Sequence, residues 1–433
     1  MFWVFQPMKN SPTRHFTLST LPLVQRKVKQ LCWRIFVKLL PKIDRNKLVL
    51  DAKKNSTYCL EQDQYEFIIP EPVQDIAKLR FKHACGLRKV EAFYGFMVRD
   101  VRLIGPYGLP VTRWGAILLE PISMRWLAHV LKVTINELGF LGFAKQYVLA
   151  IFPFLGRSNV LLDVGAHLIC RGAQWPGGPV FGHWMGEQLP QIRGIEGIAK
   201  KFKLQPRIII NRDPPSWQLE SLSLMGYDPS SIFLHENAGL RVHNLVFSSL
   251  RNVHSKGMEC DPIARRWAAE RLRKGLRNKS EKESSRIALF RPDSRNRRII
   301  NEDETRKIIE KLGFDLLEDV TKQSLEDSAM HFLNAETLLA TFGSGITRIM
   351  FMERPRRLIE IYAADQDHRD VWLLLASEFD MEYQCIPAAK MPDSYSDFII
   401  DSDAQELGGQ SYQKAETWWV PASEIEDVLG EQC

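Results

Sequence analysis

Leu338-Leu339-Ala340-Thr341-Phe342-Gly343-Ser344-Gly345-Ile346-Thr347-Arg348 sets an apolar strand against a small-residue loop and then a helix-forming run. A strand that turns through glycine and serine into a helix presents unpaired backbone N–H groups at the helix start, with room for a phosphate to approach. Ser344 and Thr347 add hydroxyls there, and Arg348 adds a cation. The same composition also serves strand-to-helix turns that bind nothing, so both readings stand at this point.

Working outward, the same rhythm continues on both sides. Arg286 to Phe290 reads as a strand, Asn301 to Leu312 as a helix ending at Gly313, Asp315 to Leu317 as a strand, and Ser324 to Asn334 as a helix. Ile346 to Met352 reads as a helix and Arg357 to Tyr362 as a strand. An earlier series has Val160 to Val164, Arg207 to Asn211 and Ile232 to His235 as strands, with helices over Gly186 to Phe202 and Trp217 to Leu224. Alternation of this kind specifies a parallel sheet covered by helices. The polar run Asn278 to Ser285 separates the two series and reads as a linker. The expected organisation is α/β, with two Rossmann-like domains facing a central cleft. Residues 1–75 form a basic N-terminal segment, 76–275 an acceptor-side domain, 286–410 a nucleotide-binding domain, and 411–433 a C-terminal tail.

The bulk properties agree with that size of fold. A chain of 433 residues with 45% hydrophobic and 25% charged residues exceeds one core and is too apolar for general disorder. The net charge of +6 suits an anionic ligand or membrane surface but falls short of a nucleic-acid-binding stripe. Seven scattered cysteines without a CxxC pair point to reduced thiols, hence a cytoplasmic location, and against structural zinc. Met1 to Phe5 is too short for a signal-peptide core, and no apolar run reaches the length of a membrane span, the nearest being Tyr147 to Leu155. Gln25 to Leu40 reads as a basic amphipathic helix, either docked on its own domain or lying on an anionic membrane.

Two further stretches carry chemistry. In Ile287 to Arg298 a buried strand empties into a loop bearing Arg291, Arg295, Arg297 and Arg298, either a solvated basic loop or a set of forks for a diphosphate. In Phe181-Gly182-His183-Trp184-Met185-Gly186-Glu187, His183 and Glu187 share one helical face, as a structural pair or as a general base for an acceptor hydroxyl. The two Asp-x-Asp triplets, Asp365 to Asp367 and Asp401 to Asp403, have the spacing that holds a divalent ion, but the second also reads as strand, N-cap and helix. No metal site is expected.

Taken in order, Phe181 to Pro190, Arg291 through Asn301-Glu302, Gly313-Phe314 with Phe332 and Ala335, Phe342 to Arg348, and Leu358 to Ile361 resemble glycosyltransferase family 61 and its capsular-polysaccharide relatives over roughly 91–407. The resemblance implies a GT-B-like fold and inverting, metal-independent transfer from a nucleotide-sugar, usually UDP-linked, to a glycan or lipid-linked glycan acceptor. It implies no cofactor beyond that co-substrate and no nucleic acid. It would put Gly343, Ser344, Gly345 and Thr347 around the diphosphate, and Arg291, Arg295 and Arg348 against its charge. Glu360, at the end of its strand, would receive ribose hydroxyls, and Glu187, or else His183, would act as base. The family's usual loop histidine and asparagine are Phe342 and Arg348 here. The alternative is a catalytically silent protein that binds a nucleotide-sugar or glycan. In either case the expected place is the cytoplasm, with peripheral contact at the inner membrane face through the basic N-terminal helix.

Overall fold

The computed structural model of the protein describes residues 37–122, 124–155, 161–169, 179–236, 239–250, 261–276, 284–290, 298–299, 301–317, 320–363, 370–390 and 417–429. Arg291, Arg295, Arg297, residues 25–36 of the candidate N-terminal helix, residues 278–283 of the candidate linker and both Asp-x-Asp triplets lie outside these residues.

The first half of the chain supplies strands β1 (Lys42–Ile43), β2 (Tyr58–Gln62), β3 (Tyr65–Ile69), β4 (Gly86–Val90), β5 (Phe93–Ile104), β6 (Leu109–Thr112), β7 (Ile117–Leu118), β8 (Leu161–His167), β9 (Arg207–Asn211), β10 (Ile232–His235) and β11 (Leu240–Ser248). Apart from β3 and β4, which pair with each other, they form one sheet in the order β1-β7-β6-β5-β11-β8-β9-β10, with β2 also on β5. β11, β8, β9 and β10 run parallel, as the alternating rhythm predicts. β5 is antiparallel to β11, β6 and β2, so the first sheet is mixed and only its one side is Rossmann-like.

The second half gives β12 (Arg286–Leu289), β13 (Arg298–Ile299), β14 (Asp315–Leu317), β15 (Thr337–Thr341), β16 (Arg357–Ala363), β17 (Glu382–Lys390) and β18 (Thr417–Trp419). Their order is β13-β18-β17-β16-β15-β12-β14, and β14, β12, β15, β16 and β17 are parallel. After β12 the chain forms β13 at the far edge beside β18, then places β14 on one side of β12 and β15 on the other. That reversal is a switch point, where α/β sheets open a crevice at the carboxyl ends of the strands.

Two boundaries from the sequence are corrected. Residues 42–62 belong to the first sheet, because β1 pairs with β7 and β2 with β5. Residues 417–429 are no tail: β18 pairs with β17, and the following helix Ala422–Leu429 buries Ile425, Val428 and Leu429 in the second core.

One buried cluster joins the sheets. Ala166, Ile208 and Val246 of the first share it with Ile287, Leu338, Ala340 and Leu358 of the second. Polar contacts cross as well. Arg265, on the helix Pro262–Leu276, is fully buried and pairs with the fully buried Glu378 on the helix Val371–Glu378. His167 and His235 are buried with their Nε2 atoms at 3.1 Å and 2.8 Å from the carbonyls of Gly108 and Gly105. Burial lowers both imidazoles to about 4, so each is neutral in the folded protein near neutral pH.

The apolar content near Tyr147 extends further than the sequence run suggests. Met124–Ile151 is two helical pieces that meet at the non-helical Gly139, and Pro153–Leu155 follows as a 3-10 turn. The part Leu127–Ile151 is long and apolar enough to cross a membrane, by length and composition only. Gly139 bends the helix at φ 69°, ψ 160°, a conformation open to glycine and strained for other residues, so the glycine kinks the run instead of ending it.

Candidate functional site

The loop after β15 and the turn that starts at Phe181 meet. A Cβ placed on Gly182 would lie 3.0 Å from Ser344 Oγ and 3.2 Å from its Cβ, so this contact requires glycine or a shift of the serine. The two elements come from different sheets: Phe181 follows β8 and Ser344 follows β15. Two of the three stretches singled out in the sequence are therefore brought together. The third follows β12, whose Leu289 lies level with Ala340 of β15, and its arginines lie outside the described residues.

The loop side is built as follows. β15 ends at Thr341, the Phe342 N–H donates to Ile361 O at 2.9 Å, and Ser344–Phe351 forms a 3-10 helix in place of the expected α-helix. The tighter coil still leaves its first N–H groups without intrahelical partners. Ser344 and Gly345 stay partly exposed there, while Thr347 is 1% exposed and donates its hydroxyl to Ser344 O at 2.7 Å. Thr347 thus fixes the loop from within. Gly345 packs against β12, where an added Cβ would sit 2.6 Å from Leu289 Cδ2.

Arg348 is the unusual member. It is 7% exposed, its guanidinium lies 4.5 Å over the Phe181 ring, and its Nε has no hydrogen-bond partner among the described residues. Burial lowers it to about 10, which leaves it a cation at neutral pH. Arg348 is thus a buried cation stacked on an aromatic face, with a guanidinium geometry suited to an anion.

The turn side is equally specific. After a short helix, Phe181–His183, the chain makes a single π-helical turn, Trp184–Gln188, before the helix Gln191–Phe202. π-turns of this type recur at functional sites because they re-aim side chains. Here the turn sets His183 Nδ1 3.0 Å from Glu187 Oε1. Glu187 is fully buried and His183 is 6% exposed, so the carboxylate lies behind the imidazole. Trp184 anchors the turn through its indole N–H to Ser221 Oγ at 2.8 Å, and Arg265 Nε donates to Gly186 O at 2.8 Å. Phe181 packs edge-on to Trp217.

Glu360 differs from its expected place. β16 runs on to Ala363, which puts Glu360 inside the strand, 2% exposed and accepting from the Tyr383 hydroxyl at 2.5 Å. It faces the shared core with Leu358 and Tyr362, one pleat before the loop level. Phe342, where the resemblance leads one to expect histidine, stands edge-on to Trp372 with ring centroids 6.0 Å apart. Among the described residues no group of three metal-ligating side chains converges. Sequence reasoning quoted Phe181 and Gly182 within their stretch but gave them no role, and it passed over Arg265; their parts arise from contact across the chain and are not marked by local spacing.

Comparison with known families meets this geometry directly. The family model described as Glycosyltransferase 61 matches residues 181–359, from the Phe181 turn through β15 and its loop into β16. That span is narrower than the 91–407 stretch of the sequence resemblance and contains both elements of the site. No curated protein matches the chain.

Proposed function

We propose that this chain, a glycosyltransferase family 61 sequence over residues 181–359, transfers a sugar with inversion from a UDP-linked donor to a glycan or lipid-linked glycan acceptor, without a metal, in a GT-B-like arrangement. The observation that carries the reading is the contact of the Phe342–Arg348 loop with the Phe181–Glu187 turn, with Arg348 buried between them. In this reading the diphosphate sits at the start of the Ser344–Phe351 helix, against the N–H groups of Ser344 and Gly345. Arg348, with Arg291 and Arg295 from the stretch after β12, balances the charge that grows as the nucleoside diphosphate leaves.

His183 takes the acceptor hydroxyl's proton as that oxygen attacks the anomeric carbon and the carbon–phosphate oxygen bond breaks. Glu187 is the positioning residue: with the imidazole proton on Nδ1 donated to Glu187, Nε2 is the basic nitrogen. This reverses the order of preference drawn from sequence, because Glu187 is fully buried and His183 is not. Glu360 contributes by shaping the floor of the donor site through Tyr383. The reaction belongs to polysaccharide or glycoconjugate assembly in the cytoplasm, a placement supported by free, unpaired Cys59, Cys85 and Cys385.

A thermal-shift titration with UDP, GDP, CMP and dTDP, each with and without EDTA, tests this. A nucleotide at a hundred times its Kd stabilises by about 2.7 kcal/mol. The expected result is a raised Tm with UDP that persists in EDTA and vanishes in Arg348→Met. No shift with any nucleotide would overturn the reading. One observation favours the silent-binder alternative, namely Phe342 packed on Trp372 where the family resemblance implies a polar side chain. That alternative predicts the same Tm shift with no sugar released from UDP-sugars.

A further inference from the structure

The helix Met124–Ile151 has two faces after its kink. Phe143, Tyr147 and Ala150, spaced i, i+4, i+7, turn into the core that covers β5, β6 and β7. Leu141, Lys145, Val148 and Phe152, at i, i+4, i+7, i+11, share the opposite face. That face is open: Leu141 is 83% exposed, and the apolar strip runs on into Phe154 at 78% and Leu155 at 59%. Trp114, 75% exposed, lies across a cavity of about 300 Å³ from Phe154 and Pro153. Only 28% of the most apolar part of this helix is buried, so it is no ordinary core helix.

Charge says what covers it. Arg113 lies 4.4 Å over the Trp114 ring, and Lys145 sits inside the apolar strip. The one carboxylate lining the cavity, Asp100, is ion-paired with Arg241 at 3.4 Å, and His243 Nδ1 lies 3.1 Å from the same oxygen. Exposed tryptophan, phenylalanine and leucine rimmed by arginine and lysine match the interface of an anionic bilayer, where rings sit at headgroup level and cations meet lipid phosphates. Val37 and Leu40, which close the basic stretch of the N-terminus, pack against the same core. Crossing the bilayer is ruled out for this helix as folded: Leu127, Val130, Leu131, Phe143 and Ala150 are buried on the protein's own sheet.

We propose that the surface formed by Trp114, Leu141, Val148, Phe152, Phe154 and Leu155, with Arg113 and Lys145, docks the protein onto an anionic lipid surface, its apolar side chains inserted at headgroup depth. The inference stands apart from the donor-site reading, since none of these residues touches the Ser344 loop or the His183 turn.

The test is co-sedimentation of the full chain with phosphatidylcholine vesicles, alone or with about a third phosphatidylglycerol. Binding is expected only to the anionic vesicles. Trp114→Ser/Phe154→Ser/Leu155→Ser should weaken it by at least about tenfold, because each substitution removes inserted apolar area. Lys145→Glu/Arg113→Glu should weaken it further at low salt than at high salt. Because all these side chains are exposed, an unchanged Tm and an unchanged nucleotide shift report an intact fold and donor site. The proposal is overturned if the wild type stays in the supernatant or if the serine variant sediments as the wild type does. It is equally overturned if light scattering shows a wild-type dimer that the serine variant dissolves, which would make the strip a contact between two copies.

Discussion

At the scale of single residues, the proposed function has His183 and Glu187 divide one task between them. The fully buried carboxylate accepts from Nδ1 at 3.0 Å, which fixes both the ring's orientation and its tautomer. Glu187→Gln keeps the shape of the side chain but can present its amide N–H₂ to Nδ1, which favours the proton on Nε2 and removes the base. His183→Ala removes the base outright. Both variants should lower kcat for sugar transfer by about a hundredfold or more, the usual worth of a positioned base, while the nucleotide-induced Tm shift stays. If Glu187→Gln lost activity only in proportion to a drop in Tm, the carboxylate would be structural and not positioning. Arg348 shows the opposite economy: a buried cation with an unpartnered Nε costs stability in the empty protein, as binding groups commonly do.

At the scale of elements, the site is a meeting of two short, irregular pieces, the π-turn Trp184–Gln188 and the 3-10 helix Ser344–Phe351. Gly182→Ala tests how closely they must fit. The new methyl would stand 3.0 Å from Ser344 Oγ, so the serine must move by a few tenths of an ångström. We expect kcat/KM to fall about tenfold, equivalent to about 1.4 kcal/mol of transition-state binding, with little change in Tm. Ser344→Gly added to Gly182→Ala should restore much of the loss, and a double variant no better than the single one would show that the contact is incidental. The strand β15 and the loop after it were legible from local pattern, because an apolar run ending in glycine and serine leaves few alternatives, whereas the 3-10 coil after it and the π-turn at Trp184–Gln188 were read as ordinary helix. What was not legible has identifiable causes. β11, central to the first sheet, begins Leu240-Arg241-Val242-His243-Asn244, whose polar residues hide a strand that only its neighbours specify. β17 carries Pro387 and opens on Glu382-Tyr383-Gln384, which reads as loop. Glu360 was misplaced because Tyr362 continues the inward alternation of β16 for one more pleat.

For the whole molecule, the question is what holds a turn from the first sheet against a loop from the second. Hydrophobic packing does part of it, but packing alone is tolerant of small slides, and the site is not. The directional link that reaches the turn itself is Arg265. Its Nε donates to Gly186 O within the π-turn, and another of its nitrogens pairs with Glu378, whose Oε1 also accepts the Asp261 N–H at 2.6 Å. Burial pushes the Glu378 carboxyl up, and Arg265 works against that shift. Removing one partner strands a buried charge, so Glu378→Ala should lower stability by about 3–5 kcal/mol. Replacing both by apolar side chains of similar volume, Arg265→Met/Glu378→Leu, should recover most of that stability, since a buried ion pair is often no more stabilising than a packed apolar pair. Turnover should not recover with it, because Gly186 O has lost its donor and the turn that carries His183 and Glu187 is free to shift relative to Ser344. Calorimetry and sugar-transfer assays on the same samples separate the two effects. A double variant that regained both Tm and kcat would make the pair a piece of the core, whereas recovered Tm with kcat still depressed would show that its work is to keep the two sheets in register at the site.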